Sequence, residues 1–311
     1  MPFALAVHGG AGSPPPGTLD PQSETRRRDG LRRALDAGAA VLDRGGSALD
    51  AVVTAVEILE GDPIFNAGRG SVYAADRTQR MDASVMDGRN RRAGAVCDVR
   101  RVASPVRAAL AVARKSPHVL LAGEGAEGFA ARMGLPLVDP SHFHDEHRLC
   151  QLEDALARGL IVLDHSASLP SEAGGTVGAV ALDRSGHLAA ATSTGGMTGK
   201  APGRVGDSAV PGAGTWADDR TCAVSATGHG ERFIEAQVAG RIAALMELAG
   251  MSLEAAATRV VLEELPDMPG EGGVIAIDRA GAVSMPFNSG GMACGVRHID
   301  GRVDVHGLLR P

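Results

Sequence analysis

The sequence predicts a layered α/β protein with mostly antiparallel sheets covered by helices. Three observations carry this reading. Leu31, Leu35, Gly38 and Leu42 recur at helical spacing in the first part of the chain. After residue 176 the pattern changes to two hairpins of one form, each an apolar run, an Asp-x-x-Gly turn and a second apolar run. Strand-like runs also begin near both termini.

Residues 3–7 read as a short apolar strand running into His8-Gly9-Gly10-Ala11-Gly12, and Pro14-Pro15-Pro16-Gly17 reads as a loop. Gly45-Gly46 ends the first helix. Ser47-Ala48-Leu49-Asp50 resembles a capping box with Asp in place of the usual Glu, and Asp62-Pro63 stops the helix it opens. Residues 93–99 are a predicted strand, 105–113 a helix, and 141–158 a polar, partly helical stretch. Residues 164–175 are small and polar and predict an exposed linker. The hairpins follow at 177–194, turning at Asp183-Arg184-Ser185-Gly186, and at 274–285, turning at Asp278-Arg279-Ala280-Gly281. Helices are predicted between them at 233–248 and 253–265.

Composition narrows the function. The 311 residues contain only 3% aromatics but 42 glycines, so the core is expected to use Ala, Val, Leu and close backbone packing. A net charge of −6 gives no basic surface for nucleic acid, and Arg26-Arg27-Arg28 reads as a solvated helix face. No apolar run approaches membrane length. Cys97, Cys150, Cys222 and Cys294 are far apart with no C-x-x-C pair, and residues 1–12 lack the layout of a signal peptide. A reduced cytoplasm is the expected location.

The chemistry centres on Thr176. Gly174-Gly175 precedes it directly, and an apolar strand follows. Cleavage of the Gly175–Thr176 bond would place a hydroxyl beside a free α-amine, a nucleophile with its own base. Thr194 ends the return strand of the hairpin, within reach of Thr176. Arg204 and Asp207 are opposite charges three residues apart in a glycine-containing loop, suited to a zwitterion. Thr227-Gly228 ends a strand and offers a hydroxyl and an N–H to an oxyanion. His8 has no partner at metal-ligand spacing and reads as a structural histidine at the glycine turn. The role of His229 is open.

The chain resembles the plant-type L-asparaginases/isoaspartyl peptidases of the N-terminal-nucleophile hydrolase superfamily. The matching segments are HGGAG at 8–12, FNAGRGSV at 65–72, MDASVMDG at 81–88, SPHVLLAGEGAE at 116–127, GGTVGAVALD at 174–183, TSTGGMTGK at 192–200, PGRVGDS at 202–208, TGHGE at 227–231 and MPFNSGGM at 285–292. The resemblance implies a four-layer αββα sandwich, made as one catalytic domain of residues 1–311. That precursor would cut itself into an α subunit, 1–175, and a β subunit, 176–311, and two αβ units would pair. It also implies Thr176 as nucleophile and Thr194 as its hydrogen-bond partner. Thr227 and Gly228 would form the oxyanion hole. Arg204, Val205, Gly206 and Asp207 would hold the substrate, with Gly230 and Asn66 lining the site. The implied substrates are small molecules, L-asparagine and β-aspartyl dipeptides, with no cofactor for catalysis. A structural sodium ion would sit on backbone carbonyls of the loop containing Leu59, Glu60, Phe65, Ala67 and Arg69.

Two other readings stay open. Gly123-Glu124-Gly125-Ala126-Glu127-Gly128 matches G-x-G-x-x-G, which keeps nucleotide binding as an alternative, although two carboxylates stand where a pyrophosphate would lie and no βαβ unit is evident. A glycosylasparaginase shares fold and nucleophile, but that family tends to have Asp where Gly175 stands. The sequence offers no extended surface for a taspase-like protease. Ala293-Cys294 departs from the aromatic and basic residues usual in the resembled family, which leaves the balance between substrates open.

Overall fold

The computed structural model describes residues 2–12, 21–159, 161, 175–268 and 270–310. The loop expected at 14–17 and the expected linker, apart from Gly175, lie outside the described residues. In chain order the first elements are β1 (Ala4–Gly12), α1 (Pro21–Asp43), α2 (Ala48–Glu60), β2 (Met81–Asp87), β3 (Arg92–Val99), α3 (Pro105–Lys115), β4 (Leu120–Ala122), α4 (Gly123–Arg132) and α5 (Glu146–Ala157). After Thr176 come β5 (Val177–Leu182), β6 (Leu188–Thr194), β7 (Thr215–Ala217), β8 (Cys222–Gly228), α6 (Gly230–Ala236), α7 (Val238–Ala249), α8 (Leu253–Thr258), β9 (Gly272–Asp278), β10 (Val283–Ser284), β11 (Gly291–Arg297) and β12 (Val303–Leu309).

The strands form an eight-stranded sheet, ordered β12-β11-β1-β5-β6-β2-β3-β4, and a four-stranded sheet, ordered β10-β9-β8-β7. Every pair is antiparallel except β3–β4. Period-two alternation decides what each strand face meets. Leu5 and Val7 of β1 pack with apolar residues of α1, α2 and α3, whereas Ala4 and Ala6 pack with Ala223, Ile275 and Ile277 of the smaller sheet. On β8, Cys222, Val224 and Ala226 pack with α7 and α8. Alanines dominate much of the space between the sheets, as the aromatic-poor composition requires.

Local chemistry sets the element ends. Ser47 Oγ accepts from the Asp50 N–H at 3.1 Å and donates to Asp50 Oδ2 at 2.7 Å. This is half of a capping box, because the short Asp carboxylate meets the serine hydroxyl rather than its amide. Both hairpins turn on an Asp. Asp183 Oδ1 accepts from the Ser185 and His187 amides, and Asp278 Oδ1 accepts from the Ala280 and Ala282 amides. Asp183 Oδ2 also accepts from Ala48 N at 3.0 Å, joining the hairpin to the start of α2.

Four sequence expectations need correction. The first strand does not stop at residue 7; it continues to Gly12 with a register shift between His8 and Ala11. The helix expected at 233–248 is two helices, broken at Gln237 in the left-handed region (φ 52°). The carbonyls of Gly212 and Ala213 accept from Gly240 N and Ala239 N, so a tertiary contact starts α7 on a new axis. Arg26-Arg27-Arg28 is not one solvated face: Arg27 is 1% exposed, pointing inward from α1. A βαβ unit does precede the glycine-rich stretch, since β4 runs parallel to β3 after α3. Gly123 then opens α4, and the buried Glu127 carboxylate accepts from Arg100 N and Arg101 N at 2.7 and 3.0 Å.

Candidate active site

Thr176 stands immediately before β5, at the sheet end where β6 finishes with Thr194. Val177 pairs with Ser193 and Asp82 with Thr194, so the register of three strands brings Thr176, Thr194 and Asp82 to one end of the large sheet. Thr176 Oγ1 and Thr194 Oγ1 are 2.9 Å apart. Thr194 Oγ1 also accepts from Gly196 N at 2.9 Å. A cleft here is lined by Ala11, Asn66, Gly175, Thr176, Thr194 and Gly196, and by Met197, Arg204, Gly206, Asp207, Thr227 and Gly228.

Asn66 braces this cleft with four hydrogen bonds. Its N–H donates to Gly175 O at 3.2 Å and its carbonyl accepts from Gly195 N at 3.0 Å. Its Nδ2 donates to Gly196 O at 2.7 Å and its Oδ1 accepts from Val72 N at 3.1 Å. On the opposite wall, Ala11 N donates to Thr227 Oγ1 at 3.3 Å. The Thr227 hydroxyl thus spends an acceptor site on the protein and keeps its proton for another partner. Gly228 has φ 150°, and a Cβ there would overlap Glu271 O, so no larger residue fits.

The charged end of the cleft holds Arg204 and Asp207. Arg204 does not bond Asp207. Its Nε and Nη2 each lie 2.8 Å from a different oxygen of Glu231, a bidentate pair. Asp207 is 5% exposed, and its Oδ2 has no hydrogen-bond partner among the described residues. Burial pushes the Asp207 carboxyl up to about 7, although nearby Arg204 opposes the shift. A Cβ on Gly230 would stand 2.8 Å from Arg204 Nη2 and 2.9 Å from Asp207 Oδ1. Gly230 therefore leaves open the space between the two opposite charges. Val205 is half-buried and absent from the lining residues.

The family model described as asparaginase matches residues 1–306. The chain belongs to the asparaginase family. It is 51% identical to an isoaspartyl peptidase of Salmonella typhimurium over 290 residues, 93% of each chain. It is 43% identical to a plant-type L-asparaginase of Pyrobaculum calidifontis, covering 94% of this chain and 95% of that one. An isoaspartyl peptidase/L-asparaginase of Rattus norvegicus is 43% identical, over 92% of this chain and 85% of its own length.

In this asparaginase-family chain, several groups around the cleft escaped the sequence reading. Glu231 is the partner of Arg204, yet 27 residues separate them and no helical spacing relates the two. Lys200 is 1% exposed; its Nζ donates to Arg80 O at 2.7 Å, and burial lowers its pKa. A Cβ on Gly196 would lie 2.8 Å from that nitrogen, so the ammonium backs the cleft wall. Asp82 accepts from Gly206 N at 3.3 Å and Asp98 N at 2.9 Å, which anchors the loop carrying Arg204 and Asp207. Alternation within the MDASVMDG segment was the available signal for Asp82.

His8 is structural in its bonding, but it reaches the site. Its Nδ1 is 3.0 Å from Thr176 O. Burial holds its pKa down at about 3, so the ring is neutral. His229 precedes α6, and its Nδ1 accepts from Glu271 N at 3.1 Å, tying the end of β8 to β9.

The loop from Leu59 to Arg69 bends tightly behind Asn66. The Glu60 carboxylate accepts from Ser104 Oγ and Ser193 Oγ, both at 2.6 Å, and from Val106 N at 2.9 Å. Burial pushes the Glu60 carboxyl up to about 7. Leu59 O accepts from Asp62 N, Phe65 O from Ala67 N, and Ala67 O from Gly70 N. Cβ atoms on Gly68 and Gly70 would overlap the carbonyl oxygens of Glu60, Pro63 and Phe65, which therefore turn inward on this bend. Among the described residues no three His, Cys, Asp or Glu side chains cluster for a metal, and no helix is long and apolar enough to cross a membrane.

Proposed function

We propose that this protein is a self-cleaving amidohydrolase that acts on β-aspartyl dipeptides and L-asparagine and releases L-aspartate. The observation that carries this is the Thr176 hydroxyl, 2.9 Å from Thr194 Oγ1, in a cleft shared with Arg204 and Asp207. The relatives' names, isoaspartyl peptidase and plant-type L-asparaginase, support the substrate class.

Arg204 binds the substrate α-carboxylate and Asp207 its α-ammonium. Gly206 and Gly230 leave room for that zwitterion, Val205 holds the loop between the two charges, and Asn66 keeps the opposite wall in place. Thr176 Oγ attacks the side-chain amide carbon. The free α-amine of Thr176 takes the hydroxyl proton and delivers a proton to the leaving nitrogen. Ammonia leaves from asparagine and an amino acid from a dipeptide. The Thr227 hydroxyl and Gly228 N–H stabilise the oxyanion. Water then opens the β-aspartyl ester, with the same amine as base, and restores Thr176.

Self-cleavage uses the same hydroxyl on the Gly175 carbonyl carbon. The Asn66 N–H, 3.2 Å from that oxygen, is suited to the charge developing there. The Gly175–Thr176 C–N bond breaks, the nitrogen gains a proton, and water hydrolyses the resulting ester. The products are an α subunit, 1–175, and a β subunit, 176–311, which stay together as one catalytic domain. We take the two sheets and their helices as a four-layer αββα sandwich, and the assembly as a dimer of αβ units in a reduced cytoplasm, without nucleic-acid or membrane partners. The inward carbonyls of the 59–69 loop offer the hard oxygen donors a sodium ion favours, in a structural role.

Denaturing intact-mass measurement on purified, incubated protein tests the reading. Two fragments meeting between Gly175 and Thr176 are expected, and none from Thr176→Ala, which also loses hydrolysis. Normal fragments from Thr176→Ala would overturn the nucleophile assignment.

A further inference from the structure

One polar row crosses the apolar space between the sheets. His8, Gly178, Thr192 and Ser84 lie opposite one another across β1, β5, β6 and β2. Thr215 and Ser225 are likewise paired on β7 and β8. Their polar atoms form a continuous chain. It starts at Thr176 O, 3.0 Å from His8 Nδ1. His8 Nε2 is 2.9 Å from Ser225 Oγ, which is 2.7 Å from Thr192 Oγ1. Thr192 Oγ1 is 2.6 Å from Thr215 Oγ1, which is 2.8 Å from Ser84 Oγ. Ser84 Oγ ends the chain 2.6 Å from Ser208 O, the carbonyl next to Asp207. His8, Ser84, Thr192, Thr215 and Ser225 are all fully buried.

We propose that His8, Ser225, Thr192, Thr215 and Ser84 form a positioning relay that sets the backbone of Thr176 in register with the segment carrying Asp207. The proposal rests on Thr176 being the nucleophile. Holding the Thr176 carbonyl fixes the plane of the Thr176–Val177 peptide, and with it the place of the Cα that carries the hydroxyl and the amine. Holding the Ser208 carbonyl does the same for the clamp. Gly178 makes the passage possible, because a Cβ there would overlap both Ser225 Oγ and His8 Nε2.

Proton counting gives the relay a direction. Thr176 O only accepts, so the neutral His8 ring carries its proton on Nδ1 and leaves Nε2 to accept from Ser225. Thr192 then donates to Ser225 and Thr215 to Thr192. Both ends are carbonyls, so along the chain one proton fewer is present than there are contacts. Two longer side contacts, Thr192 Oγ1 to Gly214 O at 3.2 Å and Ser225 Oγ to Ala191 O at 3.3 Å, draw on the same hydroxyl protons. Ser84 shares its single proton between Thr215 Oγ1 and Ser208 O.

The test uses the full chain after self-cleavage. Ser225→Ala should lower kcat roughly tenfold or more with KM little changed, since misplacing a reacting group by about 1 Å can cost 10²-fold. Ser84→Ala should chiefly raise KM. Thr192→Val, in the middle, should change both, and Thr192→Ser should restore both. Nitrogen NMR of the unmutated protein should place the His8 proton on Nδ1. A proton on Nε2 would overturn the relay, as would unchanged kinetics in Thr192→Val or losses that Thr192→Ser does not repair. Fragment masses are read in parallel, so failure of the nucleophile assignment is seen separately from failure of the relay.

Discussion

Asp207 shows how one buried side chain couples pH to both binding and stability. Its carboxyl is pushed up to about 7. Below that pH the empty cleft holds a neutral acid, which cannot pair with an ammonium. We expect kcat/KM to fall as pH drops, because both the Thr176 amine and Asp207 take up protons in the free enzyme. Asp207→Asn should remove the second of these ionisations, at about 7, along with most substrate capture, leaving a limb set by the amine alone. At saturation the bound ammonium keeps Asp207 ionised, so kcat should depend mainly on the Thr176 amine, whose ordinary range is about 7.7–8.0. The stability sign is opposite to that of a salt-bridged acid. Between roughly pH 4 and 7 the native state keeps a proton that the unfolded chain has lost, so Asp207 contributes less stability as pH rises through this window. Denaturant midpoints of the unmutated protein and Asp207→Asn, compared across pH 4–7, check this. Glu231 gives a second prediction. It holds two edges of the Arg204 guanidinium, so Glu231→Gln should loosen a preorganised clamp and weaken aspartate binding several-fold, measured calorimetrically. Tighter binding would mean that Glu231 competes with the substrate instead.

At the scale of elements, strand alternation and close helix–sheet approach do most of the work. Thr192 and Thr194 are two apart on β6 and share a face, so one meets the buried hydroxyl row while the other meets Thr176. The reach of Thr194 to Thr176 was legible in the hairpin, as were the Asp-led turns, whereas the role of Thr192 was not. The break at Gln237 was not, because it is imposed by carbonyls of the 212–213 loop and not by a helix breaker. Helix α3 lies so close to β3 that a Cβ on Gly94 would overlap Ala113 N and Ala109 O. Gly94→Ala should therefore cost about 1–3 kcal/mol, the usual price of overpacking, measured as a lowered denaturant midpoint. The site is on the other face of the large sheet from α3, so kcat should hold below the transition. A midpoint equal to that of the unmutated protein would show that α3 moves away freely.

For the whole molecule, the central prediction is that cutting the chain does not release its halves. β5 and β6, which follow the cleavage point, lie between β1 and β2, which precede it. Strands from both sides of Thr176 also share the apolar layer between the sheets. Cleaved protein should therefore elute as a complex, and light scattering should report at least the full mass of one precursor; the proposed pairing of αβ units would double it. Separation of the fragments without denaturant would contradict this interleaved arrangement.

The nucleophile candidate, the hairpins that flank it, the order of the family segments and the charges of the clamp were all legible in the residues of the chain. Those features are written in residue type and short spacing, which local backbone chemistry reads directly. The pairing of Arg204 with Glu231, the burial of Arg27 and Lys200, and the reach of His8 to the Thr176 carbonyl follow from long-range packing. His8 and Ser225 are separated by 217 residues and meet because strands of two sheets stack. No local pattern encodes such a contact, since the register of the sheets and the apolar layer between them must form before the polar row exists.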